Sequence, residues 1–307
     1  MEPEKKRDDK YIQFPLCLLQ LTFQDMSEGF DIILDFGIVS YAKKFKYDIN
    51  EVGRQLMYAY YRNTDMIQTD LFKTLQGYVN NDLITIDSDF PGFSDNSFDP
   101  LLLSAELLGL FESDREFKES AILHYQIAQA LTLLGIKDYD LDSTIDNYWK
   151  GLAYKDNFEA KFGPDCWPNV KPVQIMYFQD SGKDLELLRA YIGIKSIIGF
   201  NNYVSTHKTI ILSRILGCKS NESLHSFIEG NASAKEFSAK FSGRKRMDNL
   251  LYKLMERGFM MMLSKKHESR IYVSTKLKTP EELAEAILKN RKQNDLKKRA
   301  EEASKLL

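Results

Sequence analysis

Apolar residues recur at three- and four-residue spacing along most of this chain, the period of helices that bury one face. Phe30, Ile33, Leu34, Ile38 and Tyr41 form the first such stripe, which predicts a helix over 28–44 with Asp25 or Ser27 as its cap. Val52, Leu56, Met57 and Tyr60 form a second stripe behind Asp48 and Glu51, a capping pair. Further helices are expected over 66–79, 100–111 and 114–134. The last carries Phe117, Ile122, Ile127, Leu131 and Leu134 and is stopped by Gly135. Asp140 or Asp142 caps another helix that reaches Phe162. The apolar run Tyr11–Phe23 holds Gln13 and Gln20. It falls short of the roughly 20 residues a spanning helix needs, so a buried segment is expected there, and no membrane contact.

The second half keeps the helical period and then leaves it. Leu187, Leu188, Tyr191, Ile194 and Ile198 predict a helix over 184–198, and GFNNY after it reads as a turn. Ser205 or Thr206 is expected to cap a helix over 208–216, and a short helix is expected over 222–228. Ala234, Phe237 and Phe241 mark the next helix, which meets the turn signal Ser242-Gly243. The helix after it runs from Arg244 to Arg257, and Gly258 suits the left-handed position that ends a helix. Phe259–Ser264 and Arg270–Thr275 then read as a hairpin, in which Ile271, Val273 and Thr275 alternate as a half-buried strand does. Thr279-Pro280-Glu281-Glu282 is a helix start with its cap, its first-position proline and its third-position glutamate. Triple-proline GPDCWPNVKP over 163–172 separates the halves.

Charge sharpens that division. The whole chain of 307 residues has a net charge of −2, but residues 1–182 hold 17 Lys and Arg against 30 Asp and Glu. Residues 183–307 hold 25 against 14. An acidic module joined to a basic one is expected, and basic modules are often nucleic-acid binders. Cys17, Cys166 and Cys218 are too few and too far apart for a zinc site or a disulfide framework, so a cytoplasmic protein is expected. The aspartates at 87, 89, 95 and 99, and those at 138, 140 and 142, do not follow a calcium loop. Phe98 and Trp149 stand where the closing glutamate would be. His124 stands alone in mid-helix and reads as packed or surface rather than as a metal ligand. No phosphate-binding glycine loop, nucleophile elbow or metal-binding histidine pair occurs, so no catalytic residue, metal ligand or cofactor is expected, and the chain is not read as an enzyme.

The stretch Lys235–Thr275, and above all LLYKLMERGF over 250–259, resembles the winged helix-turn-helix superfamily. It departs from that pattern in a shorter turn between Phe241 and Arg244 and a long insertion before Ser233. The whole chain faintly resembles uncharacterised replication-type proteins of phages and mobile elements. The implied fold is mainly α. An acidic helical domain (1–170) leads through a linker (171–182) to a winged helix with a two-stranded hairpin (183–278) and a C-terminal helix (279–307). The implied partner is double-stranded DNA, and the implied role is a transcription regulator or replication organiser. On the helix 244–257, at 100° per residue, Met247, Leu250, Leu251, Leu254 and Met255 gather on one side. Lys245, Asn249, Tyr252, Lys253 and Glu256 lie opposite, with Arg246 on one flank and Arg244 on the other. Lysine, arginine and asparagine are the residue types that read base edges, and Arg244 suits a phosphate. Lys265 and Lys266 at the hairpin tip could reach phosphate oxygens. The other reading is a protein-interaction module or inhibitor, in which the acidic half engages a protein partner and the winged helix binds protein. A rival helical pair, KTIILSRILGCKSNESLHSFI, carries no cation on its second helix.

Overall fold

A computed structural model describes residues 11–46, 115–137, 139–181, 184–264 and 270–304. The helices expected over 48–60, 66–79 and 100–111, the acidic loop over 86–99 and the hairpin tip with Lys265 and Lys266 lie outside the described residues. What is described is mainly helical, with small antiparallel sheets. The chain divides into two compact units. One is built from Met1–Ile12 and Leu34–Leu152, the other from Gln13–Ile33 and Ala153–Leu307. Two helices, α1 (Met26–Ala42) and α3 (Leu141–Phe162), contribute to both units. No helix among the described residues is long and apolar enough to cross a membrane.

In the first unit α2 (Arg115–Leu134) and the neighbouring halves of α1 and α3 bury Phe36, Val39, Ile127, Leu131 and Leu141. The Phe36 ring stacks on Tyr148 at 5.1 Å, and Lys43 Nζ lies over that tyrosine and donates to its hydroxyl at 2.8 Å. Asp35 accepts from Thr144 Oγ1 and Asn147 Nδ2. His124 is buried. Asp140 is the cap of α3: its Oδ1 accepts from the backbone N–H of Asp142 and of Ser143. Asp25 caps α1 in the same way through Glu28 N–H.

The second unit begins with the apolar run, which forms a buried 3-10 turn (Leu16–Phe23) started by Pro15. The two-residue strand β1 (Ile12–Gln13) precedes the turn, and β2 (Asn169–Val170) follows α3. Pro172–Ser181 forms helix α4, where the sequence suggested a linker over 171–182. Proline at the first helical position costs no hydrogen bond, so a proline-rich stretch can end in a helix start. Then follow α5 (Leu185–Ile198), β3 (Val204–His207), α6 (Lys208–Ile215), α7 (Asn221–Gly230), α8 (Ala232–Ser242) and α9 (Arg244–Glu256). The hairpin is β4 (Met261–Ser264) and β5 (Arg270–Ser274), and α10 (Pro280–Ser304) follows.

β3 corrects the sequence reading. Ser205 and Thr206, expected as helix caps, are strand residues, and the expected two-stranded hairpin is a three-stranded antiparallel sheet ordered β3-β5-β4. Val204 pairs with Val273 and Thr206 with Ile271, while Met262 lies opposite Val273 from the other side. Four residues are too few to show a period of two, and their partner lies more than 60 residues onward, so local pattern alone could not reveal the strand.

α5 is the spine of this unit. It is buried at Leu188, Ile192, Ile194 and Ile198, and α6 crosses it at Gly193. A Cβ at Gly193 would stand 2.9 Å from Ile215 N, a backbone atom that cannot step aside. Alanine would gain about 1 kcal/mol of helix propensity at this site. Overpacking against backbone costs about 1–3 kcal/mol. Gly193→Ala is therefore expected to lower the thermal unfolding midpoint, and an unchanged or raised midpoint would show that α5 and α6 are not this close in solution.

Candidate nucleic-acid interface

Helix α9 is held by its apolar side. Met247, Leu250, Leu251 and Leu254 are buried, and the helix packs on α5 and α8, where Phe237 and Phe241 are also buried. Its end is a Schellman turn. Gly258 N–H donates to Met255 O and Phe259 N–H to Leu254 O, with Gly258 at φ 73°. Phe259 then packs between Phe178 and Tyr191, at 4.8 and 5.4 Å. The start of α9 has Gly243 as cap, without a side-chain hydrogen bond.

Ion pairs fix the surroundings. Asp248 of α9 pairs with Lys208, the first residue of α6, and Arg257 pairs with Asp184 ahead of α5. Lys240 of α8 reaches Glu186 at 2.7 Å. These contacts pair Asp248 and Arg257, while Glu256 stays exposed on the outer side of α9.

What remains exposed is the side opposite the core. Lys245, Arg246, Asn249, Tyr252 and Lys253 are all exposed, and Lys245, Asn249 and Lys253 follow one another at four-residue steps along one line. That line spans about 12 Å at 1.5 Å per residue. Among the described residues no carboxylate pairs with Lys245, Arg246 or Lys253. Tyr252 keeps 47% of its surface, which leaves a ring and a hydroxyl available beside the two lysines. The backbone of Arg244 opens the helix; its side chain lies outside what is described, as do Lys265 and Lys266. The structure thus brings five of the eight sequence-derived residues together on one surface.

The rival helical pair is differently placed. α6 is buried at Ile211 and Ile215 and packs on both α5 and α8, and α7 packs on α8. α7 is opened by a capping box in which Ser220 and Ser223 bond reciprocally. β3, which the sequence did not reveal, holds the free edge of β5 and so fixes the hairpin against the helices.

A second cluster of chemical groups lies in the core of the same unit. The carboxylate of Asp165 accepts Cys17 N–H at 2.6 Å, Arg214 Nη1 lies 3.2 Å from Cys166 Sγ, and Gln20 bridges Tyr154 and Cys218. Burial holds the Cys17 thiol far above its ordinary pKa, with the Asp165 charge adding to it. Burial also pushes Cys166 up to about 11 and Cys218 up to about 12. These thiols stay protonated at neutral pH and are poor nucleophiles. Among the described residues no group of three His, Cys, Asp or Glu side chains could hold a metal ion.

Asp165 is itself raised, chiefly by burial. Its folded form therefore holds a proton more tightly than its unfolded form. The stabilisation from that proton is complete below the unfolded pKa and is lost as pH rises through the folded one. Between about pH 7 and pH 4 the parent is expected to gain stability relative to Asp165→Asn, read as the difference in urea midpoints. A difference that stays flat across that range would mean that the carboxylate is solvated.

No family model, curated protein or solved structure matches this chain.

Proposed function

We propose that this protein binds double-stranded DNA, with α9 in the major groove as the recognition helix of a winged helix-turn-helix and the β4–β5 hairpin as its wing. The observation that carries the reading is the exposed line Lys245–Asn249–Lys253 on α9, flanked by Arg246 and Tyr252, in which no lysine or arginine pairs with a carboxylate among the described residues. A helix about 20 Å long with a polar outer face fits a groove about 12 Å wide. The sheet order supports the same reading, since a wing can position a helix only if it is tied to the helical core, and β3 supplies that tie. The role is that of a transcription regulator or a replication organiser of the kind carried by phages and mobile elements.

The test is binding of the whole chain to labelled duplex DNA across a salt series. The three cations of α9 are expected to contribute about 2.7 to the steepness of log K against log salt, at about 0.9 for each phosphate contact. Failure to bind duplex at low salt would end this reading and turn attention to a protein partner for the acidic half.

A further inference from the structure

The C-terminal helix has two parts with different surroundings. Its start is anchored: Thr279 and Glu282 form a capping box, with Glu282 N–H donating to Thr279 Oγ1 at 3.1 Å and Glu282 Oε2 accepting from the backbone N–H of Lys278 and Thr279. Leu283 and Ile287 are buried, and the helix packs along β4. Two tyrosines of the sheet region seat it. Tyr203 donates to Ala286 O at 3.4 Å, and Arg291 Nη2 donates to the hydroxyl of Tyr272 at 2.9 Å with its guanidinium 6.0 Å from the ring centre. Glu281 and Glu282 stand in the first turn, where the helix dipole favours acids.

Beyond that seat the helix continues to Ser304, and every side chain from Leu288 to Lys298 is exposed. This stretch carries Lys289, Arg291, Lys292, Lys297 and Lys298 against a single acid, Asp295. At 100° per residue Lys289 and Lys292 point away from Leu283 and Ile287. β4 touches both α9 and α10, so the seated start of α10 lies against the hairpin.

We propose that residues 289–298 of α10 are a second DNA contact, a rigid basic arm that binds the sugar-phosphate backbone of the duplex read by α9; this rests on the DNA-binding reading of α9. The occupant follows from charge: four lysines on an exposed helix, besides the seated Arg291, against one acid match a polyanion. The exposed leucines, Leu288 and Leu296, stand eight residues apart and do not make the heptad seam that a helix pair between two copies would need. Because the arm offers lysines without asparagine–arginine pairs on its outer line, its contribution is independent of base sequence.

The experiment uses the full chain and its Lys289→Gln/Lys292→Gln/Lys297→Gln/Lys298→Gln variant. Both are titrated into selected and random duplexes at several salt concentrations, with sedimentation of the free proteins in parallel. The variant is expected to flatten the salt slope by about 2 to 4, at about 0.9 for each phosphate no longer neutralised, and equally on both duplexes. Glutamine at exposed helix positions leaves helicity intact by circular dichroism. A slope equal to that of the parent, with α9 variants still losing affinity, overturns the arm and leaves the α9 reading in place. A parent that binds no duplex overturns both. Flattening accompanied by a change from dimer to monomer overturns the arm in favour of self-association through α10.

Discussion

Alanine at Lys245, Arg246 and Lys253 together is expected to weaken binding to any duplex by about two orders of magnitude at moderate salt, since each phosphate contact contributes roughly 0.7 log unit there. The same variant should show a salt slope flatter by about 2.7. The side chains are exposed and the core side of α9, at Met247, Leu250, Leu251 and Leu254, is untouched, so thermal stability should not move. Asn249→Ala should behave differently. Asparagine pairs with adenine edges, so its loss should relax preference at one base position and leave affinity for random duplex nearly unchanged. The measurement is competition between selected and random duplexes. A triple variant that binds as tightly as the parent would remove α9 from the interface.

Arg189→Ala is expected to destabilise the second unit by about 2–4 kcal/mol, because a charged donor contributes about 1.5–3 kcal/mol per hydrogen bond and its removal strands buried acceptors. Arg189 is buried in α5, donates from Nε to Thr22 Oγ1 at 2.8 Å and from Nη2 to Thr22 O, and lies over the Phe23 ring at 4.0 Å. Burial pushes its pKa down to about 10, so it is charged throughout the physiological range. Phe23 in turn meets Phe227 and Phe237 edge-on, at 5.7 and 5.4 Å. One guanidinium therefore ties the 3-10 turn, α5, α7 and α8 together. Lysine lacks the planar fork and should restore little, whereas methionine keeps the stem packed without a buried charge and should lose less than alanine. Thermal unfolding of the parent and of the methionine and alanine variants reads the order Arg, Met, Ala directly. Equal midpoints for Arg189 and Arg189→Ala would show that Thr22 and Phe23 are held by other contacts.

Both predictions concern residues whose roles were unequally visible in the sequence. The outward line on α9 follows from helical period alone, because Met247, Leu250, Leu251 and Leu254 had to face inward together and so sent Lys245, Asn249 and Lys253 outward. Arg189 offered no such signal. It sits on the apolar side of α5 among leucines and isoleucines, and its partner Thr22 is 167 residues earlier. The same distance problem hid the cluster of Cys17, Asp165, Cys166 and Cys218, in which the link between Cys17 and Asp165 spans 148 residues.

Local chemistry determined a good deal by itself. The helices over 26–42, 115–134, 185–198 and 244–256 appear where the apolar period placed them, and the one over 141–162 where its cap placed it. The caps at Asp25, Asp140 and Thr279 and the stop at Gly258 are made by the residues that promised them. Each is settled within one or two turns of backbone, so a short window of sequence holds all the information. Tertiary structure alone decided the pairing of β3 with β5, the helix at Pro172–Ser181 and the seating of Arg189 on Thr22. It also decided which exposed cations keep no carboxylate partner among the described residues. Those outcomes depend on groups far apart in the chain meeting in space. The free energy of such meetings comes from burial and pairing that no local pattern encodes.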